Sequence, residues 1–210
     1  MPVAAAEAAF AAATGVSRET LERLRRYAAL LEKWTPVINL VARSTLPRLW
    51  TRHFLDSAQL LDHAPDGARI WADLGAGGGF PGLVVAILAA ESRPALRVTL
   101  VESDARKSAF LLTAAREIGV DVRVETARAE ELAPLGADVV SARALAPLHR
   151  LLPLAERHLA PGGVCLFPKG AAHEQEIAEA LASWRFEVQK LPSRTDPAAV
   201  ILKIGGLARV

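Results

Sequence analysis

A short apolar strand that runs straight into a glycine-dense turn limits this chain more than any other feature. Ile70-Trp71-Ala72-Asp73-Leu74 delivers the backbone into Gly75-Ala76-Gly77-Gly78-Gly79-Phe80-Pro81-Gly82, and helix-forming residues follow. Glycine has no Cβ, so such a turn brings bare backbone against a ligand. Five glycines in eight residues are more than a tight turn alone requires. In an open parallel sheet, ligands sit outside the carboxyl ends of the strands, which is where this turn lies.

The rest of the chain supplies the sheet. After residue 69 the texture alternates: helix to about residue 90, strand 98–102, helix 104–118 capped by Asp104, then strands 121–125 and 137–141. A helix over 147–159 ends at Pro161-Gly162-Gly163, strand 164–167 follows, and a last helix spans 173–184. Repeated β–α units predict a mostly parallel sheet with helices on both faces. Segments 186–191 and 200–204 have too little chain between them for a crossover helix, so they are expected to form an antiparallel hairpin. Residues 1–68 read as a helical segment packed on this α/β domain of residues 69–210. Ser17 is its N-cap, and Leu21, Leu24, Ala28, Leu31 and Trp34 follow at helical spacing until Pro36 ends the run. Thr45 caps a second helix carrying Leu46, Leu49, Trp50, Phe54 and Leu60.

Composition removes several classes. Hydrophobic residues make up 51% and charged residues 23% of the 210, which fits a globular chain and not a disordered one. No segment reaches the roughly 18–20 apolar residues of a spanning helix. The alanine-rich stretch 4–13 lacks a basic flank and is interrupted by Glu7, so it reads as a retained helix and not a signal peptide. The single cysteine, Cys165, allows no internal disulfide and offers no metal cluster. Cytoplasmic residence, no membrane, no metal and a monomer are the expectations. The net charge of +2 says little, but residues 17–55 hold eight basic side chains against three acidic ones, a local charge of +5. Such a patch attracts phosphates, and Arg43, Arg48 and Arg52 within it are the candidates for phosphate contact, which become RNA-binding candidates under the resemblance given below.

The ligand of the turn is argued from charge. Gly77-x-Gly79-x-x-Gly82 matches the dinucleotide pattern, which alone is a weak signal. A pyrophosphate wants free N–H groups at the helix start, and Pro81 removes one. Asp73 places a carboxylate at the strand tip, which suits a cationic amino group and repels a pyrophosphate. S-adenosylmethionine carries that ammonium and no phosphate. Glu102, at the tip of the second strand, is positioned to accept both ribose hydroxyls. The alternatives are that Asp73 caps local amides and that Glu102 is a surface acid.

These residues resemble the bacterial small-subunit rRNA guanine-N7 methyltransferases, the family also called glucose-inhibited division protein B. The resemblance covers nearly the whole chain. It rests on Asn39-Leu40, Arg52-His53-Phe54-Leu55-Asp56-Ser57, the turn from Asp73 to Gly82, and Glu102 with Lys107 and Phe110-Leu111. It continues through Arg128-Ala129-Glu130, Ser141 with Arg143-Ala144, and Lys169-Gly170. Ser108 departs from it, standing after Lys107 where many relatives carry a second basic residue. That weakens any phosphate role for this helix start. The resemblance implies a Rossmann-like methyltransferase fold and methyl transfer from S-adenosylmethionine to N7 of one guanine in small-subunit (16S) rRNA, with that rRNA or the small subunit as partner. It implies cofactor contacts at Gly75, Phe80, Ala129, Glu130 and Arg143, beside Asp73, Gly77 and Glu102, with the adenine near Ala129 and Glu130.

Guanine N7 has an in-plane lone pair and no hydrogen, so attack needs no general base. Rate then comes from holding N7 in line with the methyl group. Cys165 sits in an apolar strand as a core residue, which leaves covalent cysteine chemistry unsupported. Arginine and lysine commonly read the O6/N7 edge of guanine. Arg143 and Lys169, both after strand ends, are the candidates for O6 or a phosphate. His53 and Asp56 lie three apart on a helix face and are read as a polar pair toward the target nucleotide. The rivals are a same-fold methyltransferase of a small molecule or protein, a nicotinamide oxidoreductase, and a non-catalytic ribosome-assembly factor.

Overall fold

The computed structural model describes residues 2–210; Met1, at the head of the expected helical segment, lies outside them. Strand β1 (Ile70–Leu74) runs near the middle of the sheet, parallel to β2 (Arg97–Val101) on one side and β4 (Ala137–Ser141) on the other. Strand β3 (Arg123–Glu125) extends the β2 edge in parallel, and β5 (Leu159–Lys169) follows β4 in parallel. The last two strands, β6 (Trp184–Pro192) and β7 (Val200–Arg209), pair antiparallel, and β7 docks antiparallel on β5. The order β3-β2-β1-β4-β5-β7-β6 is therefore a parallel sheet closed by the expected hairpin.

The strands next to β1 are buried on both faces, as parallel strands covered by helices must be. Helices α4 (Gly82–Ser92) and α5 (Ala105–Ile118) belong to one layer, and α6 (Leu148–His158) and α7 (His173–Leu181) to the other. The reversal between β1 and β4 opens the crevice that such sheets use for ligands.

The N-terminal segment adds to the first layer. Helix α1 (Val3–Thr14) ends at Gly15, and α2 (Arg18–Ile38) is capped by Ser17, whose hydroxyl accepts from the Thr20 N–H. Phe10, Leu24, Tyr27 and Leu31 enter the same core as Leu83, Ile87 and Leu111. Two local expectations fail. Pro36 does not stop α2: it sits in the last turn, where its missing N–H removes only one bond, and Asn39 closes the helix in the left-handed region. Nor does Thr45 cap a regular helix. The chain runs as a 3₁₀ helix at Arg43–Arg48, a π-helix at Leu49–Leu55 and one turn of α3 (Asp56–Ala58). The wider π turn brings Leu49, Trp50, His53 and Phe54 inward together, and such turns often mark functional sites.

Candidate functional site

The glycine turn is held by its neighbours at both ends. The Gly82 N–H donates to Asp73 Oδ2 at 2.8 Å, and the Gly77 N–H donates to Glu102 Oε2 at 2.8 Å. In its middle Tyr27, from α2, donates its hydroxyl to the Gly78 carbonyl. A Cβ on Gly79, whose φ is +98°, would lie 2.3 Å from that Tyr27 oxygen. Only glycine admits the tyrosine here. Nothing in the sequence marked Tyr27, which is not among the stripe residues named above, because its partner is 51 residues away.

Asp73 is not where charge reasoning put it. Its side chain is fully buried, Oδ1 accepts from Ser141 Oγ at 2.7 Å, and Ser141 Oγ in turn accepts from Trp71 Nε1 at 2.8 Å. Along β1 the pleat alternates faces, and Asp73 shares the Trp71 face, under the start of α4. The carboxyl ties turn, helix and β4 together and does not line the cleft, so the expected contact with a ligand ammonium is corrected to a structural clamp. Burial, outweighing the two hydrogen bonds, pushes its pKa up to about 7.

Glu102 is also largely buried, with Oε1 accepting from the Asp104 N–H at 2.8 Å and Oε2 from Gly77. Each oxygen keeps one lone pair, enough for the two ribose hydroxyls expected of it. Ser108, the departure noted above, is buried and donates to the Glu102 carbonyl.

Two lobes of one cleft meet at Gly75. The larger, about 630 Å³, is lined by Gly75–Gly78 backbone, Phe80, His53, Asp56, Arg143 and Lys169. The smaller, about 290 Å³, is lined by Val101, Ser103, Ala127, Ala129, Glu130 and Leu154. Leu145, half exposed on the loop after β4, borders both lobes, and a Cβ on Gly75 would lie 2.6 Å from its Cδ1. Sequence reasoning missed Leu145, as it did Ser193 and Asp196 of the β6–β7 turn, which line the larger lobe.

The larger lobe holds a network centred on Arg143. Its Nη2 donates to His53 Nδ1 at 2.8 Å; its Nη1 donates to the Arg52 carbonyl at 3.3 Å and to Asp56 Oδ2 at 3.4 Å. The guanidinium lies 4.9 Å over the Phe80 ring, within cation–π range. His53 and Asp56 thus do not pair with each other; Arg143 stands between them, which corrects the helix-face reading. With Nδ1 accepting, the His53 proton sits on Nε2 and donates to Thr45 Oγ1 at 2.8 Å, and that hydroxyl donates to the Ala42 carbonyl. Burial first, then Arg143, Arg52 and Arg48, pull the His53 pKa down to about 3. Burial also lowers the pKa of Arg143, and Asp56 opposes it.

Lys169 lines the same lobe, but its ammonium donates to the Ala146 carbonyl at 2.9 Å and to Glu176 Oε2 at 2.7 Å. It clamps the loop after β4 onto α7. Arg43, Arg48 and Arg52 are exposed; Arg52 lines the cleft mouth and pairs with Asp196 at 3.6 Å, while Arg43 donates to the Pro36 carbonyl. Cys165 is buried in β5 and burial raises its pKa, the state of an inert core thiol.

The geometry favours a cofactor without phosphate. At the start of α4 the Gly82 N–H is engaged by Asp73 and the Leu83 N–H by the Gly79 carbonyl, so these two offer nothing to a pyrophosphate. Two lobes joined over bare backbone at Gly75, with carboxylate lone pairs near the junction, fit an adenosine with a cationic tail.

Comparison with known proteins agrees. A family model described as rRNA small subunit methyltransferase G matches residues 20–198. The curated ribosomal RNA small subunit methyltransferase G of Cereibacter sphaeroides is 57% identical over 195 residues, covering 93% of this chain and 95% of that protein. The protein of the same name from Rhodospirillum centenum is 55% identical over 199 residues, covering 95% and 90%. Among solved structures, a mutant of MtNAS in complex with S-adenosylmethionine superposes with a TM-score of 0.57 at 16% identity, covering 87% of this chain and 70% of that one, which shows a shared fold.

Proposed function

This chain belongs to the rRNA small subunit methyltransferase G family, and on that premise we propose that it transfers the methyl group of S-adenosylmethionine to N7 of one guanine in small-subunit rRNA. The adenine occupies the smaller lobe beside Ala129 and Glu130, the ribose faces Glu102, and the methionine end crosses the backbone of Gly75 and Gly77 toward Phe80. The target base enters the larger lobe. Arg43, Arg48 and Arg52 meet the RNA backbone outside it, in the cytoplasm where the small subunit is built.

When bound, the cofactor supplies an electrophilic methyl group on a sulfonium. Transfer of that methyl group to the guanine N7 lone pair would exchange one bond to carbon for another and leave the demethylated thioether as product. No proton leaves N7. The network around Arg143 suits this reaction because its carboxylate and imidazole are already engaged: Asp56 Oδ2 accepts from Arg143 and its Oδ1 from Thr195 and Gln59. His53 has no free lone pair: Nδ1 accepts from Arg143 and Nε2–H donates to Thr45. With a pKa near 3 it stays neutral and serves as a fixed acceptor. Three of the five guanidinium donors of Arg143 are engaged by Asp56, His53 and the Arg52 carbonyl. Two remain for the guanine edge, where an arginine reads O6 and N7, and here the O6 contact leaves N7 to the methyl group. Positioning of this kind contributes several kcal/mol to the rate.

The observation that carries this reading is the pre-ordered Arg143, packed over Phe80 at the lobe next to the glycine turn. The experiment is transfer of tritiated methyl from S-adenosylmethionine to unmodified small subunits, followed by mapping of the label. Label on one guanine at N7 supports the proposal; label on another atom, or none with a cofactor that binds, overturns it.

A further inference from the structure

We infer that His158 is a positioning residue for the cofactor's adenine, holding from behind the loop that forms one wall of the smaller lobe. The inference rests on the reading above that adenine occupies that lobe.

Residues 126–132 belong to the connection from β3 to β4 and have no regular structure, and their one backbone-to-backbone hydrogen bond among the described residues runs from the Glu131 N–H to the Arg128 carbonyl. Ala127, Arg128, Ala129 and Glu130 nevertheless line the lobe. A loop that recognises a ring through its backbone must be fixed by something else.

The end of α6 does this. His158 is fully buried, and its Nε2 lies 2.8 Å from the Ala129 carbonyl. A carbonyl only accepts, so Nε2 carries the proton and Nδ1 is left with a lone pair. That Nδ1 is buried and has no partner. An unsatisfied buried nitrogen is a cost that a plain core residue would avoid. One residue earlier Arg157 Nε donates to the Leu132 carbonyl at 2.8 Å, so α6 grips the loop at two points three residues apart. The same helix presents Leu154 and Arg150 to the lobe. Helix α6 therefore supplies one wall and fixes the other. With the Ala129 carbonyl tied back to His158, the peptide plane it shares with the Glu130 N–H has a set direction, and that direction governs whether this N–H, trans to the carbonyl, meets an adenine ring nitrogen.

The test uses the full chain, with S-adenosylhomocysteine as probe. His158→Leu keeps the bulk and removes the donor; His158→Gln restores an N–H donor at comparable reach. We expect H158L to weaken the probe's Kd and raise the KM for S-adenosylmethionine about tenfold, the scale of one lost hydrogen bond, with kcat at saturation within about twofold of wild type. H158Q returns both toward wild type. A lower melting temperature with Kd and KM unchanged means that the histidine only packs, and overturns the proposal. If H158L does not fold, Arg157→Met, on the exposed side of the grip, is expected to weaken the probe about threefold; no change there overturns the proposal equally. Leu154→Trp separates the two layers of the argument by filling the lobe. If it leaves probe binding intact, the adenine assignment itself is wrong; if it abolishes binding while H158L does not, the assignment stands and His158 loses its role.

Discussion

The two lobes of the cleft recognise in opposite ways. The larger is built from charged and aromatic side chains, Arg143, His53, Asp56 and Phe80, each already engaged with another. The smaller joins small residues and backbone, at Ala127, Ala129 and Ser103, to the charged side chains of Arg128, Glu130 and Arg150, and its loop is supported from behind the wall at His158 and Arg157. In a side-chain lobe, losing one group removes the contact itself. In a backbone lobe, losing a support group only loosens the contact. Truncations in the larger lobe should therefore act on kcat and those around the smaller lobe on cofactor affinity.

The largest expected effect is at Arg143. Arg143→Ala removes a side chain that touches His53, Asp56 and Phe80 at once, and methyl transfer to small subunits is expected to fall by about 10²–10³-fold. S-adenosylhomocysteine affinity, measured by calorimetry, should change by less than about fivefold. An equal loss in both would mean that the lobes are not separable.

Next comes Asp73, which belongs to neither lobe. Asp73→Ala leaves the Gly82 N–H and the Ser141 hydroxyl buried without their acceptor, and a stability loss of about 2–4 kcal/mol by urea unfolding is expected. A fully active, equally stable alanine variant would break the clamp reading. The pH dependence has a definite sign. The folded pKa, near 7, exceeds the ordinary carboxylate value of 3.8, so the native state holds this proton more tightly than the unfolded chain. Its contribution is fully present below about pH 4 and is lost as pH rises through 7. Asp73→Asn should lack that slope, and a parallel stability–pH curve for the two proteins would refute the shift.

How much of this was legible in the sequence follows the same division. The order of β–α units, the closing hairpin and the glycine turn were readable because each is local: period, turn residues and chain length between strands. Arg143 stood out at a strand end, and His53 and Asp56 on one helix face. Their arrangement did not, because Arg143 reaches His53 across 90 residues and a π-helix shifts the face on which His53 lies. Asp73 was misread for a related reason. A strand tip is visible in sequence, but which side of the sheet its side chain faces depends on what helix covers that side. Ser141 and Tyr27 acquire meaning only once β1 pairs with β4 and α2 packs over the turn. His158 looked like the end of an amphipathic helix.

A smaller effect sharpens the mechanism. Turnover at saturating substrates is expected to be flat between about pH 6 and 8, since N7 needs no base and His53 stays neutral far below that range. Asp73 titrates inside the range, so an acidic limb has two possible owners. A limb that disappears in Asp73→Asn belongs to the clamp; one that persists reveals a base and breaks the side-chain lobe as described.

The smallest expected effects separate the lobe from the RNA surface outside it. Arg52 is exposed at the cleft mouth with a partly solvated partner, Asp196, so its charge remains available to a phosphate. Lys169 is a tenth exposed and held by Glu176 and the Ala146 carbonyl. Removing a lysine or arginine that contacts phosphate lowers the slope of log affinity against log salt by about 1. Arg52→Ala should show that decrease in small-subunit binding. Lys169→Met should leave the slope alone and weaken binding by no more than about threefold, because its partners are within the protein. The reverse result, a slope change at Lys169 and none at Arg52, would move the RNA path from the rim into the lobe, where the target base would share the space with its own backbone.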